Sequence, residues 1–146
     1  MVGVPAKLGP MTDSVAVLAG MYAAEREYLA AGGASFAPLA PYFHREVVLH
    51  QAEGLPYGGT WHGHEGMAKF FTAMSETWSR FDLGEQRYLA TGDTVVVHTE
   101  IHAEARATGR ELRFAILQTI TVRDGQIIEV RPFYWDTAAV AAACER

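Results

Sequence analysis

The chain has 146 residues, a formal net charge of −5 and 49% hydrophobic residues. This length predicts one domain with a sizeable core, and the hydrophobic fraction excludes extensive disorder. The 12 lysines and arginines are scattered singly. No basic stripe therefore indicates nucleic acid as the main partner, and no apolar run approaches the ~20 residues of a membrane span.

The N-terminal segment and the single cysteine bear on location. Residues 1–11 are interpreted as a loosely organised leader, in which no long apolar region or cleavage signal indicates export. The lone Cys144 leaves no internal disulfide and fits a reducing compartment. We therefore expect a cytoplasmic protein with a single domain over residues 12–146.

Apolar residues at helical spacing predict a first helix near the start of the domain. Thr12 or Asp13 can cap a first helix, which ends at the alanine–glycine stretch 30–33 because glycine commonly follows a helix C-terminus. The charged residues 25–27 are expected near the outer side of this helix. Ser35 begins a second, short helix.

A strand and a third helix follow. The strand covers Glu46–Gln51 and leads into a loop that contains four glycines. The third helix runs from about Glu65 to Trp78, since its apolar side chains recur every three or four positions.

Period-two alternation replaces helical spacing from Phe81 onward. It predicts four strands joined by turn-forming pairs, namely Asp82–Ala90, Thr94–Thr108, Glu111–Arg123 and Gln126–Tyr134. A short helix over 137–144 ends the chain. Helices followed by a long antiparallel meander indicate an α+β fold. We expect a curled sheet with the N-terminal helices on its concave face, which forms a cone-shaped pocket.

Three segments resemble a known family. They are LPYGGTWHG at 55–63, TVRDGQI at 121–127 and FYWDTAA at 133–139. With the order of elements, they resemble the SnoaL-like branch of the NTF2-like superfamily, to which ketosteroid isomerase and polyketide cyclases belong. The resemblance covers about residues 12–144 and implies a cone-shaped fold and a homodimer. It does not imply one activity, because this fold supports many unrelated chemistries.

The resemblance also implies where pocket residues fall. The general-base aspartate of the isomerase aligns with Gln51, its second aspartate with Gln118, and its tyrosine lies about one turn from Tyr22, nearer Arg26. A glutamine accepts no proton, which argues against isomerase-type proton transfer by these positions. Both glutamines are expected to hydrogen-bond a ligand oxygen or, alternatively, each other or a buried water.

Asp136 is the predicted acid or base, because cyclase-type relatives often carry an aspartate at the end of the last strand. The alternative is that Asp136 caps the following helix. His50 and Glu53 are the substitute bases. Strand alternation sends His50 away from the pocket unless a bulge rotates it, and Glu53 lies where the strand becomes loop. Aromatic ligand contacts are expected from Tyr22, Tyr57, Trp61 and Tyr134.

Two histidine patterns fail as metal sites. His98 and His102 are four residues apart on one strand, roughly 13 Å at about 3.3 Å per residue, and cannot share an ion. His64 begins an H-E-x-x-H pattern in which Ala68 replaces the second histidine. His64 also stands where a phosphate-binding loop would have its lysine. No metal or other cofactor is expected.

The sequence thus favours a protein that binds a small, apolar, oxygenated molecule. An enzyme of this kind would be a cofactor-independent isomerase, lyase or cyclase that uses acid–base chemistry. The alternatives are a non-catalytic ligand-binding or accessory dimerisation module, and a dimer whose cone is filled by side chains. Phe133 and Trp135 are expected on the outer side of the sheet, where exposed aromatics indicate a homodimer through the sheet.

Overall fold

A computed structural model describes residues 13–146. Within them the helices are α1 (Asp13–Ala30), α2 (Gly63–Thr77) and α3 (Thr137–Cys144), and the strands are β1 (Phe43–Gln51), β2 (Gly59–His62), β3 (Trp78–Thr91), β4 (Thr94–Ala105), β5 (Glu111–Arg123) and β6 (Gln126–Tyr134). The leader predicted at 1–11, Thr12 and the side chain of Asp13 lie outside the described residues, so the predicted cap of the first helix is not tested.

The six strands form one curled, unclosed sheet in the order β2-β1-β6-β5-β4-β3. Neighbouring strands are antiparallel except β1 and β6, which are parallel. The last four strands follow one another as hairpins, as the alternation predicts. Register shifts interrupt the β3–β4 and β5–β6 pairings, and such bulges increase the twist and bend of a sheet. The α+β prediction is confirmed.

Two helices cover the concave face of this sheet. Helix α2 buries the apolar side chains predicted from its spacing, Met67, Phe70, Phe71 and Met74. Helix α1 packs against β3, β4 and β6, and its Leu18 and Tyr22 are almost fully buried. The core therefore lies between the helices and the sheet. No helix in the described part of the chain is long and apolar enough to cross a membrane.

Several predicted boundaries were wrong. The short helix expected from Ser35 is reduced to a 3-10 turn at Ala40–Tyr42, after which β1 starts at Phe43 instead of Glu46. Pro41 within that turn lacks the N–H group that a continuing helix would need. Strand β3 already begins at Trp78, because α2 ends at Thr77 with no intervening loop.

Strand β2 was not predicted at all, since it lies within the glycine-rich loop. Its four residues pair with the end of β1, Gln51 opposite Gly59. Gly58 precedes it, and a Cβ there would overlap the carbonyl oxygen of Ala52. The glycines of this segment therefore permit a tight return of the chain along β1.

Candidate ligand cavity

A cavity of about 60 Å³ lies between α1, α2 and the concave face of the sheet. At ~10–15 Å³ per water this is room for about four to six water molecules. Its walls are mainly aromatic and aliphatic, and three of the five methionines of the sequence, Met21, Met67 and Met74, line it. Methionine side chains change shape easily, so the cavity can adapt to a larger guest.

Two residues that line the cavity each hold a buried polar atom that lacks a hydrogen-bond partner among residues 13–146. These atoms are the hydroxyl oxygen of Tyr22 and the side-chain carbonyl oxygen of Gln51. Tyr22 is 2% exposed and Gln51 is 7% exposed. An unsatisfied buried polar group costs ~1–3 kcal/mol, and native proteins leave few of them. Both atoms therefore favour a polar guest in the cavity.

Glu25 is the carboxylate on the cavity wall. It follows Tyr22 by three residues, which places both side chains on one face of α1. Glu25 is partly buried. Burial raises the pKa of Glu25 to about 7, although neighbouring Arg26 opposes the shift. The expectation that Glu25 lies near the outer side of the first helix was wrong, because this turn of α1 faces the curled sheet.

Two other polar side chains on the cavity wall, Thr99 and Tyr134, have protein partners. Gln86 donates a hydrogen bond of 3.1 Å to the hydroxyl of Thr99, and the hydroxyls of Tyr134 and Tyr57 are 2.7 Å apart. The indole of Trp78 also donates to Tyr57, at 3.3 Å. Thr99 and Tyr134 therefore need no ligand to satisfy their hydroxyls, unlike Tyr22 and Gln51.

The tyrosine hydroxyls remain protonated at neutral pH. Burial raises the pKa of Tyr22 well above its ordinary value, and the negative charge of Glu25 adds to this effect. Burial likewise raises the pKa of Tyr134 well above its ordinary value and that of Tyr57 to about 12. Tyr22 can therefore donate a hydrogen bond to a ligand oxygen.

Four of the predicted ligand contacts line the cavity, namely Gln51, Gln118, Tyr22 and Tyr134. Tyr57 is buried behind Tyr134, and the hydroxyls of the two residues form a hydrogen bond. Trp61 packs on Phe70 and donates its indole N–H to the carbonyl oxygen of Tyr57. Tyr57 and Trp61 thus support the cavity wall from outside.

The three predicted acid–base residues lie away from the cavity. Asp136 is exposed and caps α3, accepting a hydrogen bond of 2.9 Å from the backbone N–H of Ala139. His50 points to the outer face of the sheet, where its ring lies 3.0 Å from Glu129. Glu53 is exposed in the turn after β1.

The histidines of β4 also lie on the outer face. His98 is 3.6 Å from Glu100, and His102 is 2.9 Å from Glu111. Among residues 13–146, no three histidine, cysteine or carboxylate side chains come close enough together to hold a metal ion.

Sequence reasoning missed Glu25, although a signal for it was present. Met21, Tyr22 and Glu25 have the three- and four-residue spacing of one helix face. Tyr22 was already expected in the pocket. The charged run 25–27 was instead interpreted as a solvated side, which holds for Arg26 and Glu27 only.

Comparisons with known proteins identify the fold and the family. The family model for the SnoaL-like domain matches residues 24–130, well over half of the chain. No curated protein sequence matches significantly. A solved NTF2-like protein from Burkholderia xenovorans is 22% identical, with a TM-score of 0.78 over 91% of this chain and 96% of its own.

Two further solved structures share the fold and contain small molecules. TerC, co-crystallised with polyporic acid, is 21% identical, with a TM-score of 0.80 over 92% of this chain and 100% of its own. A hypothetical protein of ketosteroid isomerase-like fold from Catenulispora acidiphila, in complex with trimethylamine, is 13% identical, with a TM-score of 0.67 over 83% and 91%. With the cone-shaped architecture and the match over residues 24–130, this chain belongs to the SnoaL-like domain family.

Proposed function

We propose that the protein binds a small, largely apolar molecule with at least one carbonyl or hydroxyl oxygen in the cone cavity. The observation that carries this proposal is that two cavity-lining residues, Tyr22 and Gln51, each hold a buried polar atom without a partner among residues 13–146. A ligand hydroxyl can satisfy both, because it accepts from the hydroxyl of Tyr22 and donates to the side-chain carbonyl oxygen of Gln51, whereas a ligand carbonyl can accept from Tyr22 only. The small molecules bound by two proteins of this fold are consistent with such a use of the cone.

We further propose cofactor-independent acid–base chemistry on this ligand, with Glu25 as the proton-transferring group. A carboxylate with a pKa of about 7 is well matched to proton transfer near neutral pH. In the simplest step, ionised Glu25 removes a proton from the carbon next to a ligand carbonyl. The electron pair of the broken C–H bond forms an enolate, and the hydroxyl of Tyr22 stabilises its oxygen. Isomerisation, dehydration and cyclisation can all begin with this step.

The catalytic role moves from Asp136 to Glu25 in this proposal. Asp136 is exposed and already used as a helix cap, whereas Glu25 lines the cavity beside Tyr22. Gln51 and Gln118 keep the role predicted for them, as hydrogen-bonding groups that orient the ligand. Tyr134 contributes its aromatic ring to the cavity wall, since its hydroxyl is already hydrogen-bonded to that of Tyr57.

Exchange of the α-protons of 2-tetralone in D₂O, followed by NMR, tests this chemistry with a simple ketone in place of the natural substrate. The protein should accelerate exchange, and Glu25→Gln should lower the rate at least ~100-fold, as for the loss of a general base. Exposed Glu27 on the same helix provides the matched control, Glu27→Gln. The rate should rise with pH through about 7, because only ionised Glu25 accepts a proton.

Ligand binding is measured separately, by thermal shift with the same ketone. Binding without any Glu25-dependent exchange would contradict the catalytic proposal and favour a non-catalytic ligand-binding module. The absence of both binding and exchange for 2-tetralone and a set of cyclic ketones and epoxides would contradict ligand binding in the cavity as well.

We also propose that two copies associate through the outer face of the sheet, in a cytoplasmic homodimer. Phe133 is 53% exposed and lies opposite Leu117 on the neighbouring strand, which is 41% exposed. Trp135 beside them is 86% exposed. A contiguous apolar surface of this kind favours a protein partner.

A further inference from the structure

A second, larger cleft adjoins the cavity. It has a volume of about 500 Å³ and lies where the C-terminal ends of α1 and α2 meet the first half of β3. Met74, Phe81 and Leu83 belong to the walls of both spaces. These three apolar side chains form a threshold between an inner apolar cavity and an outer cleft.

The outer cleft is positively charged. Arg26, Arg80 and Arg106 line it together with a single carboxylate, that of Asp82. Asp82 forms an ion pair with Arg80, so these two charges offset each other. Two guanidinium groups remain, in a protein whose formal net charge is −5.

Neutral oxygen atoms hold these two guanidinium groups in place. Arg106 donates to the backbone oxygens of Ser75, at 2.9 Å, and Trp78, at 3.2 Å. Arg26 donates to the side-chain oxygen of Gln86 at 3.0 Å. Within residues 13–146, neither arginine forms an ion pair with a carboxylate. Both are thus positioned, with donor groups left over for an anion.

Helix α1 and strand β3 connect the two spaces. Glu25 and Arg26 are consecutive, yet Glu25 lines the cavity and Arg26 lines the cleft. Gln86, which accepts from Arg26, donates to Thr99 on the cavity wall. A ligand that crosses the threshold would therefore contact both Glu25 and Arg26.

We propose that the natural ligand is an amphipathic carboxylate that occupies both spaces. Its apolar, oxygenated part lies in the cavity, and its carboxylate binds Arg26 and Arg106 in the cleft. The planar guanidinium fork of arginine matches a carboxylate with two parallel hydrogen bonds. This inference rests on the proposed binding in the cavity and adds a class of substrate and a second subsite.

A matched series of acids and amides tests the inference. Phenylacetate, 3-phenylpropanoate and 4-phenylbutanoate are titrated by ligand-observed NMR, each beside its neutral primary amide. The acid should bind about tenfold more tightly than the amide once the chain is long enough to cross the threshold, and the shorter acids should show no such preference. Raising the ionic strength should reduce the preference, because the cleft is open to solvent and salt screens its charges.

Charge-removing variants locate the effect. Arg26→Met and Arg106→Met should each bring the acid-to-amide affinity ratio close to one while the amide affinity stays within twofold. Arg106→Lys keeps the positive charge and should therefore show part of the preference for acids that Arg106→Met loses. It also controls for the loss of the hydrogen bonds from Arg106 to the end of α2. Arg131→Met provides the control for net charge, since Arg131 lies on the outer face of the sheet beside Glu129.

The outcomes separate this inference from the proposed function. Equal affinities of acids and amides in the wild-type protein, or an acid preference that survives both arginine variants, would overturn the second subsite and leave cavity binding intact. A failure of every acid and amide to bind, together with a Glu25→Gln variant that exchanges the protons of 2-tetralone as fast as the wild-type protein, would overturn both.

Discussion

The two sides of the curled sheet differ in whether their polar groups have partners. On the outer face, the histidines are paired with carboxylates, as His50 is with Glu129 and His102 is with Glu111. On the inner side, Gln51 of β1 and Tyr22 of the covering helix α1 hold buried polar atoms without a partner among residues 13–146. The outer face is rich in ionisable groups, whereas the polar atoms that lack a hydrogen-bond partner lie on the inner side.

This difference shows which polar residues matter for a ligand. A paired surface histidine contributes little, since exposed ion pairs are worth ~0–1 kcal/mol. An unpaired buried hydroxyl or amide destabilises the empty protein and is satisfied when a guest arrives. Residue type alone draws attention to the histidines, whereas the pattern of hydrogen bonds draws it to a tyrosine and a glutamine.

The largest expected effect concerns the outer face. Phe133→Glu places a charge in the centre of the proposed dimer interface and should weaken dimerisation at least ~100-fold, because an unpaired buried charge is costly. Sedimentation equilibrium measures the dissociation constant. Thr72→Glu, on the exposed side of α2, adds the same charge elsewhere and should leave the dimer unchanged. A wild-type protein that is monomeric at high concentration would contradict the proposal.

On the inner side, removal of an unpartnered polar group should stabilise the protein and weaken ligand binding. Tyr22→Phe removes a buried hydroxyl without a partner and should raise the free energy of unfolding by about 1 kcal/mol. The same change should weaken ketone binding about tenfold, or ~1.4 kcal/mol. Stability increases at the expense of function in this way at many binding sites.

Urea unfolding and ketone titration of the same Tyr22→Phe protein measure the two effects. Tyr28→Phe provides the matched control, because Tyr28 is a buried tyrosine of the same helix that does not line the cavity. A destabilised Tyr22→Phe protein would show that the hydroxyl already has a partner, and unchanged ketone affinity would remove Tyr22 from the site.

Much of the fold could be predicted from the sequence, because its signals are periodic. Strand β5 at Glu111–Arg123 and β6 at Gln126–Tyr134 have the predicted bounds, since alternation and turn residues define them locally. The segment 35–42 was predicted as a short helix because its apolar spacing imitates one, and the effect of Pro41, which lacks the N–H group of a continuing helix, was underestimated. Strand β2 depends on pairing with β1, a tertiary contact with no local signal.

The site was less predictable than the fold for a related reason. Strand parity correctly separated Gln51 from His50 and Tyr134 from Phe133. Helical spacing places Glu25 on the face of α1 that carries Tyr22, but it does not show how far the sheet curls over that face, and Glu25 was therefore assigned to the solvated side. Asp136 attracted the catalytic role through its position after the last strand, which is also the position of a helix cap.

The smallest expected effect separates this cap from the cavity. Asp136→Ala removes the hydrogen bond to the N–H of Ala139 and should lower the free energy of unfolding by about 1 kcal/mol. Because Asp136 is exposed and outside the cavity lining, the rate of 2-tetralone exchange should remain within twofold. Asp136→Asn and Asp136→Ser, which retain a capping oxygen, should recover most of the stability. A loss of exchange in Asp136→Asn, with stability preserved, would return the acid–base role to Asp136 and leave Glu25 as a wall residue.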